Sequence, residues 1–161
     1  MHITGKLRIF AFVLVTVLLL AFTHTTQAET EKKLSSGETV YVSIYSNVFS
    51  GPKKVPLELA SMLSIRNTDT KYSITIFAVD YYDSHGKKIE SYIKNPVTLN
   101  PLASNYYYIK EYDTRGGAGA NFIVKWSAKN KVNQPIIEGL MIGLGGKGVA
   151  FICPGQVITE Q

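Results

Sequence analysis

Side chains of alternating polarity run through most of this chain after residue 39. The clearest example spans residues 122 to 127, where the large apolar residues Phe122, Val124 and Trp126 occupy every second position. Successive side chains of a β-strand point to opposite faces, so this period of two directs one set toward a core. β-Branched and aromatic residues dominate the same region, and the spacing of an amphipathic helix is almost absent. The pattern therefore predicts an all-β fold.

Turn-forming residues divide this region into short strands at intervals of about ten residues. The segment Asp83-Ser84-His85-Gly86 predicts a tight hairpin, because its glycine can adopt the positive φ that ends such a turn. Pro96 and Pro101 flank residues 97–99 and predict an edge strand or a connection there, since proline donates no hydrogen bond to a sheet. Residues 40–45 are predicted to form a half-buried strand. If the protein pairs an edge strand with another chain, these residues are a better edge than the proline-marked residues 97–99.

Residues 73–82 are predicted to form a central strand, because apolar or aromatic groups occupy both faces. One face is expected to carry Ile74, Ile76 and Ala78, and the other Phe77, Val79 and Tyr81. Together the strands predict an antiparallel, immunoglobulin-like β-sandwich of about seven to nine strands that follows an N-terminal signal peptide. Cys153 is the only cysteine of the chain, so the intrachain disulfide of antibody domains is excluded.

The N-terminal segment resembles a cleavable export signal. Lys6 and Arg8 precede an apolar run from Ile9 to Phe22, which is short for a membrane span, and Thr26-Gln27-Ala28 provides small residues for a peptidase. We therefore expect a signal peptide over 1–28, a flexible polar leader over 29–38 and a single β-sandwich domain over 39–161. The expected location is periplasmic or secreted. No cysteine near the cleavage point offers a lipid attachment site, so no stable membrane anchor is expected after cleavage.

The composition offers few catalytic or metal-binding groups. The signal peptide holds two of the 17 basic residues and no acidic one, so cleavage lowers the net charge from +5 to +3 and no nucleic-acid partner is expected. His85 is the only histidine after residue 28, which leaves Cys153 without a cluster of zinc ligands. The sequences typical of hydrolases and nucleotide-binding loops are missing. We expect no metal, no cofactor and no enzymatic activity.

Two groups of residues are candidates for binding. Tyr106 and Tyr108 are expected to share one face of a strand, so they could present rigid amphipathic contact area to a partner. Arg115 precedes Gly116 and Gly117, and a basic residue beside open backbone amides could form an anion site. The structural alternatives are ordinary aromatic pairing across a sheet for the tyrosines and a close backbone crossing for the glycines.

Several phrases of the sequence together resemble a bacterial family known only as domain of unknown function 3124. They are Ser64-Ile65-Arg66-Asn67-Thr68-Asp69, Tyr81-Tyr82-Asp83 with Gly86-Lys87, Pro101-Leu102-Ala103-Ser104, residues 116–122 with Trp126, and Pro135-Ile136-Ile137-Glu138 leading to Met141-Ile142-Gly143. The similarity covers residues 40–158. It implies a single exported bacterial β-domain, and it brings no activity, cofactor or site residues.

The sequence therefore favours an exported, non-catalytic binding or accessory module of the cell envelope, whose partner is an envelope protein or glycan. The alternative is a small extracytoplasmic hydrolase in which folding brings two acids together. A third reading is a subunit that completes the sheet of another protein by edge pairing.

Overall fold

The computed structural model describes residues 34–143 and 148–159. These residues form twelve strands and one short 3-10 helix. In chain order the strands are β1 (Leu34–Ser43), β2 (Asn47–Ser50), β3 (Val55–Glu58), β4 (Ala60–Arg66), β5 (Ile74–Tyr82), β6 (Lys88–Ser91), β7 (Val97–Leu99), β8 (Ser104–Ile109), β9 (Asn121–Asn133), β10 (Ile136–Gly143), β11 (Val149–Pro154) and β12 (Gln156–Ile158). The 3-10 helix spans Thr114–Gly119, between β8 and β9.

Ten of these strands form two antiparallel sheets. The six-stranded sheet has the order β12-β1-β9-β5-β6, and β7 also pairs with β5. The four-stranded sheet has the order β11-β10-β4-β8. Strands β2 and β3 form a separate two-stranded hairpin. The chain passes from β11 of one sheet to β12 of the other at Gly155, whose amide donates to the Ile137 carbonyl at 2.8 Å.

The inner faces of the two sheets meet in one core. Its largest fully buried side chains come from both sheets and include Trp126, Tyr81, Phe122, Leu63, Ile65 and Met141. Gly139 of β10 lies so close to the other sheet that a Cβ there would be 2.6 Å from Ile44 Cδ1. The prediction of an all-β antiparallel sandwich is confirmed. The described residues contain more strands than the seven to nine expected, because the β2–β3 hairpin left no distinct pattern in the sequence and residues 97–99 form the strand β7.

Strand β5 is central, as predicted, but the predicted assignment of its two faces is wrong. Ile74, Ile76, Val79 and Tyr81 are all fully buried, whereas Phe77 is 49% exposed. The register against β9 shifts between Ile76 and Ala78, so Phe77 is the extra residue of a β-bulge. The bulge moves every later side chain to the opposite face from the one that simple alternation predicts.

The N-terminal part of the domain begins earlier than predicted. Strand β1 starts at Leu34, so the prediction of a flexible leader is wrong for residues 34–38. Their side chains are mostly polar and do not alternate with apolar ones, so the sequence pattern predicted no strand. The strand forms because these residues pair with the long strand β9, as Glu38 does with Trp126. Residues 1–33, with the predicted signal peptide and the rest of the leader, lie outside the described residues. Within the described residues, no helix is long and apolar enough to cross a membrane.

Several turns and edges follow the predictions, and one does not. Asp83 closes the β5–β6 hairpin by accepting hydrogen bonds from the amides of His85 at 2.8 Å and Lys87 at 2.9 Å. These bonds lower the pKa of the Asp83 carboxyl. Strand β7 pairs with β5 at the margin of its sheet, as its flanking prolines predict. The edge that residues 40–45 could offer to another chain is occupied at its start, because Val40 pairs with Val124 on one side and with Val157 on the other.

Candidate functional site

The outer face of the four-stranded sheet carries a set of apolar side chains. The register places Tyr108 beside Met62, Met62 beside Leu140, and Leu140 beside Ile152, so one apolar row crosses all four strands. At a spacing of about 4.8 Å between strands, the row extends for roughly 14 Å. We call the row and its apolar neighbours on the same sheet face the apolar face: Met62, Tyr106, Tyr108, Ile136, Leu140, Ile142 and Ile152.

These side chains alternate with the buried residues of the same strands. The exposed fraction is 65% for Tyr106, 53% for Tyr108 and 56% for Ile152. Ile136 and Ile142 of β10 are 49% and 40% exposed. Tyr106 and Tyr108 therefore point to the same outer face, as the alternation of the sequence predicts. Polar residues also lie on this face: Glu138, next to Ser64, stands between Leu140 and Ile136 along β10, and Arg66 lies next to Ile136.

Tyr107 points the other way and anchors β8 to the core. Its ring packs edge-on against Tyr92 with 5.7 Å between centroids, and Tyr92 packs in turn against Phe122 at 5.4 Å. Burial raises the pKa of Tyr107. Burial, aided by the Glu90 charge, raises the pKa of Tyr92 to about 12. This aromatic layer holds the edge strand β8 in place, so that the two outward tyrosines stand on a packed support.

The outer face of the six-stranded sheet is different in character. Lys125 lies beside Thr39, and Asn121 lies between Ser43 and Tyr82. Other outward residues form polar contacts, as Asp80 accepts from Ser91 Oγ at 2.6 Å and pairs with Lys88 at 3.4 Å. Charged and hydroxyl groups interrupt this face, whereas aliphatic residues run side by side on the other sheet. The two outer faces of the sandwich are therefore chemically distinct.

Arg115 lies in the 3-10 helix, and its guanidinium is held by acids. Its Nη2 lies 2.7 Å from Asp113 Oδ2 and 3.0 Å from Glu90 Oε2, and its Nε donates to Asp113 Oδ1 at 2.8 Å. These bonds raise the pKa of Arg115 and lower that of Asp113. The positive charge expected to attract an anion is thus matched by two carboxylates. Arg115 contacts β6 of the six-stranded sheet, so it does not share the sheet face of Tyr106 and Tyr108.

Gly116 and Gly117 shape a close contact between the 3-10 helix and the end of β5. A Cβ on Gly116 would lie 2.0 Å from the Tyr81 hydroxyl and 2.6 Å from Ala120 Cβ. The Gly116 carbonyl accepts from Ser84 Oγ at 2.8 Å. Gly117 has a φ of 73°, a conformation that favours glycine. This is the close backbone approach that the sequence offered as the structural alternative to an anion site.

Glu90, Asp113 and Cys153 take part in structural contacts in the described residues. Glu90 and Asp113 lie close together because both bind the guanidinium of Arg115. The lowered pKa of Asp113 keeps its carboxyl ionised, so this group is unsuited to donate a proton. In the described part of the chain, no group of three or more His, Cys, Asp or Glu residues could hold a metal ion. Burial raises the pKa of the Cys153 thiol, which packs against the core.

The sequence reasoning missed two buried polar residues, Asn67 and Asp69, which are 2% and 7% exposed. Their residue types by themselves predict only a turn. Asn67 Nδ2 donates to three backbone carbonyls, and Asp69 accepts from three backbone amides. Their residue types indicate this role in part, because short amide and carboxylate side chains readily form hydrogen bonds with nearby backbone groups. Their long-range partners lie in other strands, and the sequence does not show which strands meet there.

Comparison with known proteins identifies a family whose description names no activity. The family model described as Protein of unknown function (DUF3124) matches residues 37–158. No curated protein matches the chain. A solved structure, the crystal structure of Thermotoga maritima 1070, aligns with 10% identity over 76% of this chain and 95% of its own, at a TM-score of 0.45. A likeness at this level says nothing about function.

Proposed function

We propose that this chain, which belongs to the family described as Protein of unknown function (DUF3124), is a non-catalytic binding module of the cell envelope that docks a partner protein on its apolar face. One observation carries the proposal. A continuous apolar row of Tyr108, Met62, Leu140 and Ile152 crosses the outer face of the four-stranded sheet. Contiguous apolar patches on a protein surface mark interaction sites more often than scattered apolar residues do.

The composition of the apolar face favours a protein over a glycan. Most of its members are aliphatic, and aliphatic side chains gain most by burial against other apolar groups. Glycans need hydrogen-bonding groups around each stacked ring, and the centre of the row has none. Its tyrosines lie on the edge strand β8, where rigid amphipathic rings suit the core or margin of a protein interface. Beside the row, Glu138 and Arg66 supply the polar groups that occur at the rim of such an interface.

The non-catalytic part of the proposal is supported by three carboxylates that are held in ion pairs. Asp113 and Glu90 are bound by Arg115, and Asp80 is bound by Ser91 and Lys88. Carboxylates in ion pairs are poorly suited to act as a general acid. The envelope location is supported by the sequence of residues 1–28, which has the pattern of an export signal.

A pair of matched lysine substitutions tests the proposal. Ile152 on the apolar face is 56% exposed, and Val157, on β12 of the six-stranded sheet, is 52% exposed. Both are exposed, β-branched residues of an edge strand, so Ile152→Lys and Val157→Lys should change stability little and to a similar degree. The tagged exported protein, wild type or variant, is purified from the envelope of the bacterium that encodes it, and bound proteins are quantified by mass spectrometry.

We expect one protein to co-purify with the wild type and with Val157→Lys, and to fall at least about tenfold with Ile152→Lys, because a buried apolar contact is replaced by a charge. Loss with both variants, or with neither, contradicts docking on the apolar face. A polysaccharide that co-purifies with the wild type and is lost with Ile152→Lys contradicts the choice of a protein partner. Urea unfolding of each variant confirms that the fold is retained.

A further inference from the structure

A groove on the other side of the sandwich carries a separate inference. It has a volume of about 670 Å³ and lies on the outer face of the six-stranded sheet. Thr98, Thr75 and Ser127 are cross-strand neighbours on β7, β5 and β9, so three hydroxyl groups form its floor. We call it the hydroxyl groove. Its size falls within the range of about 300 to 1,000 Å³ that is typical of small-ligand sites.

One wall of the hydroxyl groove is an excursion of β9. Ser127 of β9 pairs with Gly37 of β1, and the next paired residue of β9 is Val132, opposite Ser35. Residues 128–131 therefore stand opposite a single residue of β1 and leave the ladder. This excursion carries Lys129 and Asn130 into the lining of the groove. Irregularities of this kind are found beside binding sites, where they re-aim side chains.

A second wall is the segment Lys71–Ser73, and Asp69 ties it to β9. Asp69 Oδ1 accepts from the amides of Lys71 and Tyr72, each at 2.9 Å. Its Oδ2 accepts from the amide of Asn133 at the end of β9, at 3.0 Å. One buried carboxylate thus fixes the ends of both walls, so the groove is pre-formed.

Asn67 connects the same wall to the strand β7 that supplies Thr98. Its Nδ2 donates to the carbonyl of Tyr72 at 2.9 Å and to the carbonyls of Leu99 and Asn100 at 3.2 and 3.0 Å. The Lys71 ammonium lies 5.2 Å from the centroid of the Tyr72 ring, a cation–π contact that restrains it beside the groove.

The lining has a consistent chemistry. Lys71 and Lys129, from two different segments, bring two ammonium groups to the lining, and Asn130 adds an amide. No lining residue is acidic among the residues that the structure describes. Hydroxyl and amide groups match the hydroxyls of a sugar, and ammonium groups match a carboxylate or a phosphate.

We infer that the hydroxyl groove binds an acidic saccharide, with Thr75, Thr98 and Ser127 bonded to sugar hydroxyls and Lys71 and Lys129 facing the anionic group. The site lies on the sheet opposite the apolar face and is independent of the proposed protein partner. Its anionic group is a carboxylate or a phosphate, and the probes below distinguish the two.

Isothermal titration of the purified exported protein tests this site. The probes are trigalacturonic acid, glucose 6-phosphate, the neutral trisaccharide maltotriose and inorganic phosphate, each at low and at high salt. The double variant Lys71→Gln/Lys129→Gln removes both ammonium groups. Lys53→Gln/Lys54→Gln is the matched control, because it makes the same charge change in the exposed turn between β2 and β3. The variant Thr75→Val removes a floor hydroxyl at nearly constant volume.

We expect at least one acidic sugar to bind, with an affinity at least about tenfold higher than that of maltotriose and lower at high salt. The Lys71/Lys129 variant and Thr75→Val should each weaken this binding severalfold, and the Lys53/Lys54 control should not. Binding of inorganic phosphate as tight as that of the acidic sugar overturns the saccharide assignment. No binding of either acidic sugar at millimolar concentration, or equal losses in both lysine variants, overturns the site.

Discussion

Gly116 lies where the hydroxyl of a buried tyrosine meets the backbone of the 3-10 helix. Tyr81 is fully buried, and its hydroxyl shares a hydrogen bond of 3.1 Å with Ser46 Oγ. Burial raises the pKa of Tyr81. The hydroxyl stays buried because Gly116 leaves room for it, which gives this glycine a structural role whether or not Arg115 contacts a ligand.

Gly116→Ala should therefore destabilise the domain. A Cβ at 2.0 Å from the Tyr81 hydroxyl and 2.6 Å from Ala120 Cβ forces the packing to shift, at a cost of about 2 to 3 kcal/mol. Gly119→Ala is the control, because its Cβ would stay 3.3 Å from the nearest atom, Ser84 Oγ. Urea unfolding measures both. An equal free energy of unfolding for the two variants would contradict this assignment of Gly116.

The buried tyrosines predict a loss of stability at alkaline pH. The pKa of Tyr92 is raised to about 12 from its ordinary 10.0, so the folded state favours the protonated phenol. The stability from this preference is fully present below pH 10 and is lost as the pH rises toward 12. Since Tyr92 is only half-buried, we expect the loss to be about 1 kcal/mol. The measurement is the free energy of unfolding from pH 9 to 12.

Tyr92→Phe should flatten this alkaline slope, because phenylalanine has no proton to lose. Some slope should remain, since burial also raises the pKa of Tyr81 and Tyr107. An unchanged slope in Tyr92→Phe would show that Tyr92 does not contribute.

The direction of single side chains is what the sequence predicts well. The alternation of polarity correctly predicted that Tyr106 and Tyr108 point outward. The partners of Arg115 depend on which loops meet in space, and no local pattern shows that.

At the scale of elements, most strands could be predicted and their irregularities could not. Turn residues and proline positions marked the β5–β6 hairpin and the strand β7. The bulge at Phe77 left no signal, because apolar residues stand on both sides of it in the sequence. The excursion of β9 at residues 128–131 was equally hidden, since a polar stretch fits a turn as well as a strand.

The bulge in β5 can be tested by two truncations. Simple alternation places Phe77 and Val79 on the same face, whereas the structure exposes 49% of Phe77 and buries Val79 completely. Phe77→Ala should cost less than about 1 kcal/mol of unfolding free energy, and Val79→Ala about 2 kcal/mol, because only the second leaves a cavity in the core. A larger cost for Phe77→Ala would show that the register continues without a bulge.

The described part of the molecule is a sandwich with two unlike outer faces. The sequence predicted two sheets with a core near Trp126 and Phe77 and an exposed tyrosine pair, because burial and alternation are local signals. Trp126 is buried as predicted, but the core position of Phe77 is wrong, since its side chain is 49% exposed. It did not predict the apolar row, since Met62, Leu140 and Ile152 lie far apart in the chain and meet only through strand order. For the same reason it missed the hydroxyl groove, whose walls come from β9 and from the segment before β5.

Site-specific photo-crosslinking in the cells that encode the protein tests the central claim, docking on the apolar face, most directly. A photoreactive phenylalanine replaces Tyr108 in one strain and Tyr112 in another. Both are exposed tyrosines, at 53% and 82%, but Tyr112 lies outside the four-stranded sheet. We predict a discrete crosslinked protein of one mass from position 108 and none from position 112. Crosslinks of equal yield at both positions, or none at position 108, would contradict the account.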